Sequence, residues 1–417
     1  MAVVHADRLA ELSPSTYVTN KDSFFVADIG KPKREKDPLV DIPRLPFPQC
    51  VAPMEPPIEA TVGQLLPGYL ALGSLMLCKS VKVGDNIPSD NVCYWSDAGM
   101  TYYLQRRIPP SSDKKTEGDP EAGRLLYCST SAIWNLSENV FCKVKPWVEG
   151  MTTEYATIKW VNQNIPSLPT EEVIYHWIDV EWKRTIMISK RVPGQTYAEA
   201  WPSLTTPQKL HIADQIAAYL KLLSEWTSDY IETVERSGVV GAWSLRERQP
   251  LPFATPRVEP RVPREEYEEF IKRRDSDKGM LSLPPNLGDT LILQHPDCNP
   301  ANFFVTVPSG SEMPQVTAII DWEYVGYFPR YLVATMPRYF GSFAVQNQNG
   351  LPPTIDNFDW QWMLSNACVR VGFPLELEYR KESVRIDTQH YPGLSIESFV
   401  RCDHLPPGYP VTSRRST

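Results

Sequence analysis

The stretch from Leu291 to Glu323, LILQHPDCNPANFFVTVPSGSEMPQVTAIIDWE, constrains this chain more than any other. Leu291, Ile292 and Leu293 form an apolar run that predicts a buried strand. A polar loop follows, carrying His295, Asp297, Asn299 and Asn302. Phe303 to Val307 predicts a second strand, which Pro308-Ser309-Gly310 breaks. Val316 to Ile320 predicts a third, delivering Asp321 at its end. Pairing the last two strands as a hairpin predicts that Asp297, Asn302 and Asp321 share one end of it. Two carboxylates and a carboxamide converging there suit phosphoryl transfer. That chemistry needs hard oxygen ligands for Mg²⁺ and a carboxylate that orients the attacking hydroxyl.

With 417 residues the chain is long enough for two lobes with cores of their own, and its 42% hydrophobic content is ordinary for a globular protein. The net charge of -8 argues against nucleic acid as a main partner and is compatible with a cationic small molecule. Eight cysteines occur without a C-x-x-C pair, and Cys128 and Cys142 lie in apolar runs. Reduced thiols in a cytoplasmic protein are the reading. Cys298, inside the polar loop, is read as a loop filler. The N-terminal MAVVHADRLAELSPSTY has no basic segment leading into an apolar one, and no run is long enough to span a membrane. Asn135-Leu136-Ser137 matches a glycosylation sequon in a chain that nothing marks as secreted.

Residues 1–64 read as a proline-rich extension, with a basic cluster, KPKREK, from Lys31 to Lys36. From Leu65 to Ile108 apolar patterning returns, and a helix plus strands is expected. Ser111 to Ala122 is a charged surface insertion. Arg124 to Cys128, Ala132 to Leu136 and Val140 to Lys145 predict a β-meander, with a tight turn at Ser137-Glu138-Asn139. A helix is predicted from Thr152 to Asn164, ended by Ile165-Pro166. Two strands follow between Glu172 and Ile188, running into Ser189-Lys190-Arg191-Val192-Pro193-Gly194. A strong helix should be capped by Thr206, with Pro207 at its first position and Leu210, Ala213, Ala217, Leu220 and Leu223 on one face. Another is predicted from Glu265 to Arg274, with Tyr267, Phe270 and Ile271 on one side. Beyond the hairpin, Tyr324 to Phe343 is aromatic-rich, Trp360, Trp362 and Met363 read as core, and the tail from Pro406 is loop.

The spacing H-x-D-x-x-x-x-N, then a hydrophobic strand ending in Asp, resembles the catalytic core of the protein-kinase-like fold. More closely it is similar to the aminoglycoside phosphotransferase and choline kinase family, which shows HGD-x-x-x-x-N and then I-D-W/F-E. Here the match is His295-Pro296-Asp297, Asn302 and Ile320-Asp321-Trp322-Glu323, with the stiffer Pro296 in place of the family's Gly. The resemblance covers about residues 124 to 345. It implies a two-lobed α+β protein-kinase-like fold, with a small antiparallel β-sheet N-lobe at 65–188 and a mainly helical C-lobe at 189–417. It implies an ATP- and Mg²⁺-dependent phosphotransferase that moves the γ-phosphate to a hydroxyl of a small molecule. Asp297 would be the catalytic base, and Asn302 and Asp321 the Mg²⁺ ligands. Lys143 would steady the nucleotide phosphates. It is preferred to Lys145, two residues on and on the same strand face, because an apolar run leads directly into it. Glu154 would pair with Lys143, or serve as a first-turn acid favoured by the helix dipole, or both. Ser189, Lys190 and Arg191 would be the hinge that binds the base, with Phe304 and Ile320 below the base and Phe141 above it. His295 would be structural, and Glu323 would tune the site or cap the following turn.

Two departures keep a second function open, that of an inactive pseudokinase-type binding or regulatory module. No glycine occurs from Leu125 to Glu149, so Ser129-Thr130-Ser131 stands where a glycine-rich loop is usual. Phe141 stands where the family has a smaller side chain. Asp-Phe-Gly and Ala-Pro-Glu are both missing, which argues against a protein kinase proper.

Overall fold

The computed structural model describes residues 58–66, 68–107, 123–128, 131–240, 258, 260–269, 290–307, 312–338 and 359–376. Most of the N-terminal extension with its basic cluster, the 111–122 insertion, Ser129 and Thr130, and the tail from Pro406 lie outside the described residues. The chain divides into two compact units. The first is Met1–Ala200, Glu232–Arg261 and Ala301–Gly326; the second is Trp201–Ile231, Val262–Pro300 and Tyr327–Thr417.

The first unit begins with a five-stranded antiparallel sheet: β1 (Val62–Leu66), β2 (Tyr69–Leu72), β3 (Met76–Lys82), β4 (Cys93–Asp97) and β5 (Met100–Arg106), ordered β1-β2-β3-β5-β4. The helix expected between Leu65 and Ile108 does not form, because GYLALGSLML builds β2, a turn and the start of β3. Three consecutive residues of β2, Leu70 to Leu72, are buried, so the strand lacks the in-out alternation that marks a half-exposed one. Gly73 makes the turn at φ +66, and a Cβ there would overlap the Asp179 carboxylate.

A second five-stranded antiparallel sheet follows: β6 (Arg124–Cys128), β7 (Ala132–Ser137), β8 (Val140–Pro146), β9 (Val173–Asp179) and β10 (Arg184–Lys190), ordered β6-β7-β8-β10-β9. The two sheets share one apolar core. Leu72, Cys78, Trp95 and Leu104 from the first cluster with Trp134, Cys142, Val144, Ile186 and Ile188 from the second. Polar ties link the sheets as well. Asp179, fully buried, accepts from the Ser74 N–H at 2.5 Å and the Ser74 hydroxyl at 2.9 Å. Asp97 accepts from the Ser137 hydroxyl at 2.5 Å and the Asn139 N–H at 2.7 Å. The sequon's Ser137 hydroxyl is thus committed inside the fold.

Helix α1 (Glu154–Asn164) connects β8 to β9. Thr153 caps it by accepting from the Ala156 N–H at 3.2 Å, and it buries Glu154, Thr157, Ile158 and Val161. Two further pieces complete the unit: β11 (Gln195–Thr196) with the short helix α2 (Tyr197–Ala200), and the hairpin of β12 (Phe303–Thr306) and β13 (Gln315–Ile319). They form a three-stranded sheet, β11-β12-β13. Ile319 ties the hairpin to the segment before β9, its N–H donating to the Pro169 carbonyl at 2.9 Å.

The second unit carries the two longest helices among the described residues, α3 (Thr206–Leu223) and α4 (Asp359–Arg370), which pack on each other. The cap of α3 is Thr205 rather than Thr206. Both the N–H and the hydroxyl of Thr205 donate to the Gln208 carboxamide oxygen, an arrangement that the earlier of two adjacent threonines makes three residues upstream. Trp360 and Met363 are buried in this unit and Trp362 is half-buried. Residues 264–269 are helical with Tyr267 buried, while the remainder of the helix expected to Arg274 lies outside the described residues. Leu291–Gln294 is a fully buried strand paired with Thr227–Ser228. Among the described residues Cys78, Cys93, Cys142, Cys298 and Cys368 are free thiols, and no helix is long and apolar enough to cross a membrane.

Candidate active site

The face of β8 turned away from the shared core carries Phe141, Lys143 and Lys145, every second residue, while Val140, Cys142 and Val144 fill the core. Opposite these lysines stands the first turn of α1, where Glu154 is buried. The hairpin adds Asp321. This residue adopts the left-handed conformation, φ 69° and ψ 52°, which aspartate tolerates better than most side chains. The main chain around it is fixed at both ends. The Ile320 N–H donates to the Asn302 carbonyl at 2.9 Å, and the Trp322 N–H donates to Glu154 Oε1 at 3.2 Å. Trp322 is fully buried and its indole N–H donates to the Ile319 carbonyl at 2.7 Å.

The charges form one buried network. Lys143 Nζ lies 2.8 Å from Glu154 Oε1 and 3.1 Å from Asp321 Oδ1. Lys145 Nζ lies 2.5 Å from the same Asp321 oxygen, 2.9 Å from Glu323 Oε2 and 3.2 Å from Glu154 Oε2. Burial acts to lower both lysine pKa values, but the Asp321 and Glu154 carboxylates outweigh it and hold both ammoniums above their ordinary range. Burial acts in the opposite sense on Asp321 and Glu154, and the two lysines outweigh it, so both carboxyls are held low and ionised. Glu323 goes the other way, because burial raises it more than Lys145 lowers it. Glu171 sits beside this network, buried, with Oε1 lacking a hydrogen-bond partner. Burial pushes its carboxyl up to about 7 against the pull of Lys143.

The structure therefore brings together Lys143, Glu154 and Asp321, and it puts Asn302 at the same end of the hairpin, 8% exposed. It adds Lys145, Glu323 and Glu171 to them. The Lys-x-Lys alternation was the sequence signal for Lys145; Glu171, in a segment without motif, had none. Asp297 belongs to the second unit, half-buried in the loop after Leu291–Gln294. His295 in that loop is buried, and its carbonyl accepts from the Cys298 thiol at 3.3 Å.

The segment from Ser189 to Arg191 is tightly engaged. Ser189 is buried against Glu171. The Lys190 N–H donates to the Glu172 carbonyl at 2.9 Å, and the Arg191 N–H donates to the Asn139 carbonyl at 2.8 Å. The Lys190 ammonium is half-exposed with Glu172. Arg191 lays its guanidinium over the Phe141 ring, 4.3 Å from its centroid. Phe304 is half-buried on β12 opposite Ala318, and Ile320 is half-buried just before Asp321.

Hard oxygen ligands for a divalent cation are present. Asp321 keeps about a quarter of its side chain exposed, and among the described residues only Oδ1 accepts hydrogen bonds, so Oδ2 is open to a ligand. That fits Mg²⁺, which prefers one or two carboxylates and leaves other positions to water and phosphate. Among the described residues no group of three or more His, Cys, Asp or Glu side chains is arranged as a protein-only metal cage.

Residues 143–332 match the model of the phosphotransferase enzyme family. A comparison with curated proteins gives no match. Among solved structures, the chain is similar to an aminoglycoside-3'-phosphotransferase of type VIII at 14% identity, over 72% of this chain and 90% of that one, with a TM-score of 0.34. It is similar to aminoglycoside phosphotransferase APH(3'')-Id from Streptomyces rimosus at 15% identity, over 60% of this chain and 93% of that one, with a TM-score of 0.33.

Proposed function

On the premise that residues 143–332 belong to the phosphotransferase enzyme family, we propose that this chain transfers the γ-phosphoryl group of ATP to a hydroxyl of a small molecule. The observation that carries this reading is the buried Lys143–Glu154 pair, 2.8 Å apart, joined through Lys143 to Asp321 at the hairpin end. Phosphoryl transfer is achieved mostly by positioning and by neutralising the phosphate oxygens, and this network supplies fixed charges of both signs.

Lys143 stands on a strand with a carboxylate on either side of its ammonium, so its position is set before any ligand arrives. Its remaining N–H suits a phosphate oxygen. Mg²⁺, when bound, neutralises phosphate charge; Asp321 through Oδ2, and Asn302 through its carboxamide, are the residues that would hold it. Asp297, five residues before Asn302 as the family motif requires, takes the role of base. Its carboxylate accepts a hydrogen bond from the acceptor hydroxyl and takes the proton as the new O–P bond forms and the bond from the γ-phosphorus to the bridging oxygen breaks, ADP leaving with that electron pair. Phe141, Phe304 and Ile320 supply apolar surface for the base. With the Lys190 and Arg191 N–H groups engaged, the base would contact this segment through other atoms. The acidic chain suits a cationic acceptor, and free thiols suit the cytoplasm.

The test is isothermal titration of the full chain with ATP, with and without MgCl₂, followed by ³²P transfer from γ-labelled ATP across a panel of amino sugars and amino alcohols. The expected result is Mg²⁺-dependent binding, and transfer that Asp297→Asn lowers by about 10²–10⁴ in kcat while ATP affinity is kept. An absence of nucleotide binding at millimolar concentration would sink this reading. The engaged hinge N–H groups favour a second one, a pseudokinase-type binding module. It predicts nucleotide binding without transfer to any acceptor, and wild-type behaviour for Asp297→Asn.

A further inference from the structure

We propose that the outer face of the sheet β1–β5 is a docking surface, and that its occupant is the proline-rich segment Pro43–Pro48 of this same chain. The proposal stands apart from the phosphotransferase reading and does not depend on it.

The face is built by register. In an antiparallel sheet, directly paired residues put their side chains on the same side. Tyr69 of β2 pairs with Lys79 of β3, Lys79 pairs with Tyr103 of β5, and Tyr103 pairs with Tyr94 of β4. These four side chains form one row across four strands. They lie on the side away from the core, which Leu70, Cys78, Trp95 and Leu104 fill. Tyr94 is 62% exposed and Tyr69 38%, and the Lys79 ammonium lies 4.9 Å from the Tyr69 ring centroid. Gln105, two residues beyond Tyr103 on β5, ties the polar groups of the face together. Its carboxamide oxygen accepts from Lys79 Nζ at 2.9 Å, and its nitrogen donates to both Asp90 carboxylate oxygens at 3.1 Å. Burial raises the Tyr103 phenol, and so do its neighbours Tyr69 and Asp90. Asp90 is exposed, and among the described residues no cation pairs with it.

A row of exposed rings beside a carboxylate that lacks a cation fits a polyproline helix carrying a basic residue. Proline rings pack on aromatic faces, and the helix is preformed, so little chain entropy is lost on docking. The chain itself carries such a segment, outside the described residues: Ile42-Pro43-Arg44-Leu45-Pro46-Phe47-Pro48. In a polyproline helix Pro43 and Pro46 stand about 9 Å apart. Tyr69 and Tyr103 are separated by two strand spacings, also about 9–10 Å. Arg44, between those prolines, supplies the cation for Asp90. The connection is long enough, because the chain from Pro48 to Ile58 spans up to about 35 Å. Val62, at the start of β1, pairs with Leu72, only three residues along β2 from Tyr69. Tethering so close to the face gives the segment an effective concentration on the order of millimolar, which favours it over a free peptide of the same sequence.

The test is limited trypsin digestion of the full chain, following cleavage of the Arg44–Leu45 bond by mass spectrometry. A synthetic peptide of residues 38–49 gives the unprotected rate. Docking should slow cleavage in wild type at least about fivefold relative to that peptide. Tyr69→Ala with Tyr94→Ala should return it to the peptide rate at unchanged Tm, since both side chains are exposed, whereas Tyr69→Phe with Tyr94→Phe should keep the protection. Should the alanine pair not fold, Pro43→Ala with Pro46→Ala changes only the segment, and it too should be cleaved at the rate of its matching peptide. Wild-type cleavage at the peptide rate would overturn the proposal. So would protection that survives both the tyrosine and the proline substitutions. A dimer by light scattering that the tyrosine substitutions dissociate, with Arg44 unprotected, would assign the face to a second copy of the chain instead.

Discussion

Asp321 combines a left-handed backbone with a carboxylate oxygen shared between two ammoniums, a conformation that only its surroundings can hold. Glu171 shows what a residue costs when such surroundings are incomplete. It is buried with one oxygen lacking a partner, and its carboxyl titrates near 7 rather than at the ordinary 4.5. The folded-state pKa is raised, so the native state holds the proton more tightly than the unfolded chain. Its contribution to stability is full below about 4.5 and is lost as pH rises through about 7. Glu171→Gln keeps a neutral side chain at every pH. It should therefore stabilise the protein at pH 8 by roughly 1–3 kcal/mol, less any attraction lost to Lys143, with the gain closing toward pH 4.5. Denaturant midpoints at pH 5 and pH 8 measure this. An equal difference at both pH values would mean that Glu171 does not titrate in this range. Nothing in Leu168-Pro169-Thr170-Glu171 marks the site in sequence, because the shift arises from burial beside residues brought in from elsewhere.

At the scale of elements, the hairpin β12–β13 depends on the turn that precedes β11. Gly194 has φ +104, and a Cβ there would overlap the Val305 carbonyl on β12. Gly194→Ala should cost about 1–3 kcal/mol, read as a lower urea midpoint, since it adds both backbone strain and a clash. Gly63→Ala is the control: it has open space and no positive φ, and it should stay within about 0.5 kcal/mol of wild type. A Gly194→Ala midpoint matching that control would show that the turn can shift away from β12. The Pro193-Gly194 turn itself is legible in sequence. Its reason is not, because Val305 lies far along the chain. The same holds for Leu65 to Ile108, where the apolar pattern signals burial without saying whether strand or helix achieves it.

At the scale of the molecule, the sheet β1–β5 precedes the family-matched segment yet shares a core with β6–β10. Deleting residues 58–107 would uncover one side of Trp134, Ile186 and Ile188 and leave Asp179 without Ser74. The truncated chain should aggregate or lose its cooperative unfolding transition, as judged by size-exclusion chromatography and thermal circular dichroism. A monodisperse, cooperatively folding truncation would show that the second sheet holds its own core. The pairing of Lys143 with Glu154 followed from the family resemblance. The sequence by itself determined the β-meander from Arg124 to Lys145, the helix that ends at Asn164, and the hairpin that places Asn302 and Asp321 together. Those depend on local periodicity, turn residues and motif spacing, all of which lie within short stretches of chain. Only the tertiary structure decided that Lys145 stands within 3.2 Å of three carboxylates, that Glu171 is buried with Oε1 lacking a partner, and that Arg191 covers Phe141. Each of these is a contact between residues far apart in sequence, and it is burial and competition for the same few oxygen atoms that settle them.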